Sequence, residues 1–168
     1  MLILDQRVGK PSKNSRAPDT GAAPERKSES VMVNLSEVAE KIYRFEASIS
    51  GMPNPPIAYL IDEPKGVLID PGPAAAIPSI QKAMTHLGMK ELSYIIPTHI
   101  HVDHGGGAGA LAKLFPKVRV VVHPRGAKHM LSPSRLIEST KLVWGNDFPA
   151  HLGPIDPVPE SQLYVPDN

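Results

Sequence analysis

A chain of 168 residues can build one domain with a real hydrophobic core and is too short for two comfortable ones. Hydrophobic residues make up 41% and charged residues 21%, and 18 basic against 17 acidic side chains leave a formal net charge of +1. That balance gives no electrostatic reason to expect a nucleic-acid or membrane-surface partner. The absence of cysteine excludes disulfides and thiolate metal clusters, so any metal site must be built from imidazole and carboxylate.

The longest apolar runs, such as Ile57 to Ile61 and Val120 to Val122, fall far short of the ~20 residues that span a bilayer. Leu2-Ile3-Leu4 before Asp5 is too little for a secretory apolar segment, so the reading is a cytoplasmic protein. Residues 5 to 30 are rich in Pro, Ser, Lys, Arg and Ala, with Val8 the one sizeable apolar side chain. Such a stretch cannot bury enough surface to offset its ordering entropy, which predicts a disordered tail over residues 1–30.

From Val31 the pattern becomes globular, and a domain is predicted over residues 31–148. Lys41 to Glu46 alternates polar and apolar, the period of a half-buried strand. Ile57 to Ile61 and Val67 to Ile69 read as two further strands joined by Glu63-Pro64-Lys65-Gly66, which has the proline and glycine placement of a tight turn. Ile77, Ile80, Met84 and Leu87 then fall at helical spacing, with Pro78 tolerable only near the start and Gly88 suited to the C-terminal cap. A strand over Leu92 to Ile96, a histidine-rich loop, a helix over about Ala108 to Leu114 and a strand over Val118 to Val122 follow. Arg125 to Leu131 and Arg135 to Trp144 read as helices. A hairpin followed by βαβαβ argues for a layered α/β (α+β) architecture. Residues 149–168, with five prolines and no periodicity, are predicted to be an extended connector belonging to the same domain.

The chemistry concentrates in six positions: His99, His101, Asp103 and His104 lie between the strand ending at Ile96 and the run Gly105-Gly106-Gly107. In an extended loop, side chains two apart point the same way, so His99 and His101 can converge on one ion. Asp103 and His104, at the turn into the next helix, can face a second ion beside it. The glycines let the backbone pass close to metal without a Cβ in the way. A single histidine is usually a surface residue; three with an aspartate between a strand and a glycine run are predicted to bind metal. His123 reads as a capping or surface histidine, and His86, His129, His151 and Arg125 as solvated side chains. Trp144 and Tyr94 read as core or interface residues.

Thr98-His99-Ile100-His101-Val102-Asp103-His104-Gly105-Gly106 resembles the His-x-His-x-Asp-His loop of the metallo-β-lactamase superfamily, and Leu68-Ile69-Asp70-Pro71-Gly72 resembles a second motif of that family. The resemblance covers about Val31 to Trp144 and lies nearer the glyoxalase-II-like and general hydrolase branch than the tRNA-processing nucleases. It implies an αββα sandwich, of which this chain would form the N-terminal half. It implies that His99 and His101 bind a first metal ion, Asp103 and His104 a second, and that the Asp70 carboxylate supports the metal loop from behind. The cofactor implied is zinc, two ions, with iron or manganese also suited to these ligands. Zinc brings the pKa of its water from ~16 toward ~7, and Asp103 would orient the nucleophile or take up a proton. The implied function is hydrolysis of a small ester, thioester or lactam-like substrate. The alternatives are a catalytically poor metal-binding fragment, and a flavin-linked diiron oxidoreductase, a branch that generally has glutamate where this chain has His101. The Gly-Asp and Pro-Gly-His elements that complete the family's site have no counterpart here, so a truncated member is expected, with self-association through an uncovered sheet face.

Overall fold

The computed structural model describes residues 34–167, so the tail predicted over residues 1–30 lies outside the described residues. Seven strands form one sheet in chain order. β1 (Leu35–Ala39), β2 (Ile42–Glu46), β3 (Ile57–Ile61) and β4 (Val67–Ile69) are antiparallel neighbours, and β5 (Tyr94–Ile96), β6 (Arg119–Val121) and β7 (Leu163–Tyr164) continue the sheet in parallel from β4. The switch follows from the connections. The first strands are joined by links without a helix, including the turn predicted at Glu63 to Gly66. Parallel pairing needs longer crossovers, and these contain the helices. α1 (Ile77–His86) carries the chain from β4 to β5; α2 (Val102–Gly105) and α3 (Ala108–Leu114) from β5 to β6; α4 (Pro124–Leu131), α5 (Ser134–Trp144) and α6 (Phe148–Leu152) from β6 to β7. The fold class is the layered α/β arrangement expected from the element order. No helix among the described residues is long and apolar enough to cross a membrane.

The pairing registers divide the sheet into two unlike faces. Phe45 opposite Ala58, and Leu60, Leu68, Ile95 and Val120 in successive register, share one face and are all fully buried. Ile80 and Ala83 of α1, Leu111 and Ala112 of α3 and Leu152 of α6 belong to the same core. The alternate residues form the other face, where Tyr59, Ile69 and Ile96 stand in one row and Ile61, Val67 and Tyr94 in the next. These are half-buried throughout.

Three elements differ from the sequence reading. β1 was not foreseen: it is an edge strand exposed at nearly every position, so it carries no alternation, and its conformation comes from pairing with β2. The histidine loop contains the four-residue helix α2, one turn and too short to leave a periodic trace. The extended connector over residues 149–168 is corrected: the segment begins inside α6 and later supplies β7, and Leu152, Ile155 and Val158 lie in the core. Its prolines still shape it, with Pro149 in the first turn of α6, where its missing N–H costs nothing.

That segment is fastened to α3. Lys113 Nζ donates to Asp156 Oδ2 at 2.8 Å, and the buried Gln162 Nε2 donates to the carbonyls of Ala112, Phe115 and Val118 at 2.9 to 3.2 Å, tying the end of α3 to the start of β6. Gly109 makes the approach possible, because a Cβ there would run into the backbone carbonyl of Asp156. In an open helix Gly→Ala stabilises by ~1 kcal/mol. Here the overlap is with backbone, which cannot swing away, and overpacking costs ~1–3 kcal/mol. Gly109→Ala is therefore expected to lower stability despite the better helix former, measured by thermal or urea unfolding of the two proteins; a raised midpoint would refute the packing described.

Candidate metal centre

β4, β5 and β6 are adjacent and parallel, so the loops leaving their C-terminal ends lie side by side along one edge of the sheet, the usual place for sites in open α/β sheets. Asp70 follows β4 directly, Thr98 comes two residues after β5, and His123 two residues after β6. Asp70 is nearly buried and has φ of 49°, a left-handed conformation that few residues besides glycine, asparagine and aspartate adopt. The turn it begins is locked to α2: Gly72 N donates to His104 O at 3.0 Å, and Gly107 N donates to Gly72 O at 2.8 Å.

The Asp70 carboxylate organises the loop. Its Oδ1 accepts the backbone N–H of Thr98 at 2.7 Å, both oxygens lie 2.9 Å from Thr98 Oγ1, and Oδ2 lies 3.0 Å from His104 Nδ1. A carboxylate accepts, so the proton of a neutral His104 ring sits on Nδ1 and the lone pair is left at Nε2. Thr98 has one hydroxyl hydrogen. With that hydrogen given to Asp70, Thr98 Oγ1 is free to accept from His99 Nδ1, 3.2 Å away, which leaves the His99 lone pair at Nε2 as well. One carboxylate thus sets the tautomers of two histidines, one directly and one through a hydroxyl.

The sequence-predicted residues come together with these donor atoms facing one another. His99 Nε2 is 3.1 Å from His101 Nδ1, and His104 Nε2 is 3.5 Å from Asp103 Oδ2. The rings of His99 and His104 lie 4.1 Å apart, centroid to centroid, so the two pairs are neighbours. Ligands at ~2.1 Å from a tetrahedral ion stand roughly 3.4 Å from each other. The donor chemistry and spacing of each pair therefore suit two corners of a zinc-type site. Among the described residues, no group of three His, Cys, Asp or Glu side chains is placed to hold one ion, so each pair stands without a third protein ligand.

The surroundings differ on the two sides of the loop. Beside His99 lies a hollow of about 440 Å3 reached by His123, Arg125 and His129. His123 caps α4, its Nδ1 accepting from Arg125 N at 3.2 Å, the capping role expected of it. Arg125 and His129, expected from the sequence to be solvated side chains, line this hollow as well. Beside His101 and Asp103 lies a second cleft, walled by α5. Trp144 belongs to that wall and is 42% exposed rather than core, while Tyr94 is half-buried in β5. His151 is paired with Asp147 at 3.7 Å on α6. A signal for α5 was present in the chain: Leu142-Val143-Trp144 places three consecutive apolar residues where a helix can bury at most part of them.

The histidine-rich loop at the end of β5, braced by a buried aspartate, sits on a fold that sequence comparison identifies as metallohydrolase-type. The family model described as the metallo-beta-lactamase superfamily matches residues 52–165, and the chain belongs to that superfamily. A probable metallo-hydrolase of Methanocaldococcus jannaschii is 24% identical over 103 residues, 61% of this chain and 50% of the relative. The uncharacterised protein YobT of Bacillus subtilis is 38% identical over 68 residues, 40% of this chain and 29% of YobT. The crystal structure of a metallo-β-lactamase superfamily protein from Sulfolobus tokodaii shares the fold with a TM-score of 0.60 at 24% identity, over 74% of this chain and 48% of that one. The chain spans half or less of the length of the relatives it matches.

Asp70→Asn keeps a residue tolerant of positive φ but replaces one accepting oxygen with a donor. It is expected to cost ~1–3 kcal/mol of stability through the unpaired groups left around Thr98 and His104. Unfolding in urea measures this, and a variant as stable as the parent would show that the carboxylate network contributes nothing.

Proposed function

We propose that this chain carries the metal-binding half-site of a hydrolase acting on a small ester, thioester or lactam-like bond, with His99 and His101 holding one divalent ion and Asp103 and His104 a second. The observation that carries the reading is the closeness of ligand-type atoms, His99 Nε2 at 3.1 Å from His101 Nδ1 and His104 Nε2 at 3.5 Å from Asp103 Oδ2, on a loop braced by Asp70. Membership of the metallo-β-lactamase superfamily supports it. Imidazole and carboxylate suit zinc first, and iron or manganese also. Bound here, such an ion would polarise a carbonyl and lower the pKa of water toward neutrality.

The residues of the chain have separate tasks. His99 and His104 present Nε2 because their Nδ1 atoms are engaged, which fixes ring orientation before any ion arrives and lowers the cost of binding it. Asp103 is the one carboxylate at the exposed side of the cluster, with 41% of its side chain accessible, and can orient an attacking water or accept its proton. The two-donor pairs also set a limit. Without a third protein ligand an ion is held loosely, since its binding energy depends on a full, preformed set.

Zinc titration against a chromophoric chelator tests the assignment. The 168-residue chain is expected to take up zinc weakly and to lose it on dialysis, and His99→Ala with His101→Ala to abolish the stronger binding event; equal uptake by parent and double variant would overturn it. With zinc present, Asp103→Asn is expected to lower turnover of simple thioesters by ~10²–10⁴-fold, the usual worth of a positioned acid–base group. Unchanged turnover would remove Asp103 from the chemistry.

A further inference from the structure

The cleft on the Asp103 side of the metal loop has a volume of about 320 Å3, on the order of ten water volumes. His101 and Asp103 line it from the histidine loop, and Leu136, Thr140, Val143 and Trp144 line it from α5. Leu136 is buried, whereas Val143 is 79% and Trp144 42% exposed, an uneconomical placement for large apolar side chains unless something covers them. The hydroxyls on this wall have no spare donor to offer: Ser139 Oγ and Thr140 Oγ1 both donate to the carbonyl of Leu136, at 2.9 and 2.8 Å. No charged side chain besides those of the metal loop lines the cleft. Its chemistry is therefore one-sided, a reacting edge of imidazole and carboxylate facing a wall of aliphatic and indole carbon.

We propose that Val143 and Trp144 are specificity-determining residues that receive an uncharged apolar group of the substrate, an aliphatic chain of several carbons or a phenyl ring, attached to the carbonyl presented at His101 and Asp103. The inference rests on the hydrolase reading above and names the substrate class for that site. An acyl group leading away from the loop into this cleft displaces water from Trp144 and Val143. Each methylene buried there is worth about fourfold in affinity. A carboxylate terminus would meet a wall whose Ser139 and Thr140 hydroxyl hydrogens are already given to Leu136 O, and so binds more weakly than an apolar one.

Trp144 is the single tryptophan of the chain, which gives the test a readout independent of metal and turnover. Acetamide, hexanamide and octanamide, which are resistant to hydrolysis on the timescale of a titration, are added to the full chain and indole emission is followed. Saturable blue-shifted emission is expected, with affinity rising about fourfold per methylene, and adipic acid monoamide, of hexanamide's length but with a terminal carboxylate, is expected to bind at least tenfold more weakly than hexanamide. Val143→Asp should flatten the chain-length dependence. Leu142→Ala, which removes an 89% exposed leucine from the same helix outside the cleft, should leave it intact. In parallel, the zinc-loaded protein is assayed with acetyl, butanoyl and octanoyl thioesters, where kcat/KM should climb with chain length and Trp144→Ala should remove the climb. No turnover of any thioester alongside length-dependent indole shifts would sink the hydrolase reading and leave the apolar cleft standing. A flat profile in the indole titration, or one that Val143→Asp leaves unchanged, overturns this proposal whatever the turnover.

Discussion

The side chains of the histidine loop are organised around one carboxylate. Asp70 is held by a left-handed backbone at the end of β4 and spends its two oxygens on Thr98 and His104, groups 28 and 34 residues further along the chain. Among the described residues no buried side-chain nitrogen or oxygen is left without a partner, and around the loop this carboxylate is the reason. Through the Thr98 hydroxyl its influence reaches His99, so the lone pairs of two histidines face outward as a consequence of one acceptor behind them. Backbone hydrogen bonds between Gly72, His104 and Gly107 bind the same two loops independently. The ring orientations are therefore fixed by the polypeptide itself.

The sheet explains why these loops meet. Parallel strands β4, β5 and β6 deliver three loop beginnings to one edge, and the helices between them seal only the face bearing Leu68, Ile95 and Val120. The site inherits two different walls from the next crossover. α4 brings His123, Arg125 and His129 to one side of the histidines, and α5 brings Leu136, Val143 and Trp144 to the other. Basic and apolar surroundings thus flank a single loop, set by helices that share a connection.

How much of this was legible in the chain follows the physics of each signal. β2 to β6, α1 and α3 to α5 are long or periodic enough for burial on one face to write itself into the residue order. β1 is exposed on both sides and β7 is two residues long, so neither leaves a pattern, and α6 begins at Phe148 with a proline behind it. The proximity of His99, His101, Asp103 and His104 was legible because four such side chains within six residues of one loop cannot lie far apart. Thr98 was visible only as a member of the motif, because its bridging role depends on Asp70 arriving from another strand. The cleft on α5 was missed for a similar reason: Trp144 alone looks like a core residue, and only tertiary placement brings it beside His101.

The Gln162 side chain gives the molecule a definite order of completion. Its amide closes carbonyls of Ala112, Phe115 and Val118, partners 44 to 50 residues earlier in the chain, and β7 then pairs with β6. During synthesis the end of α3 and the start of β6 leave the ribosome before the amide that ties them together. They remain untied until residue 164 has followed, a wait of a few seconds at ~5–20 residues per second. Until then the outer edge of β6 is an open strand edge, able to accept any passing extended segment. A chain interrupted anywhere between α4 and Gln162 would lack β7 and leave β6, three residues long, as the exposed edge of the sheet.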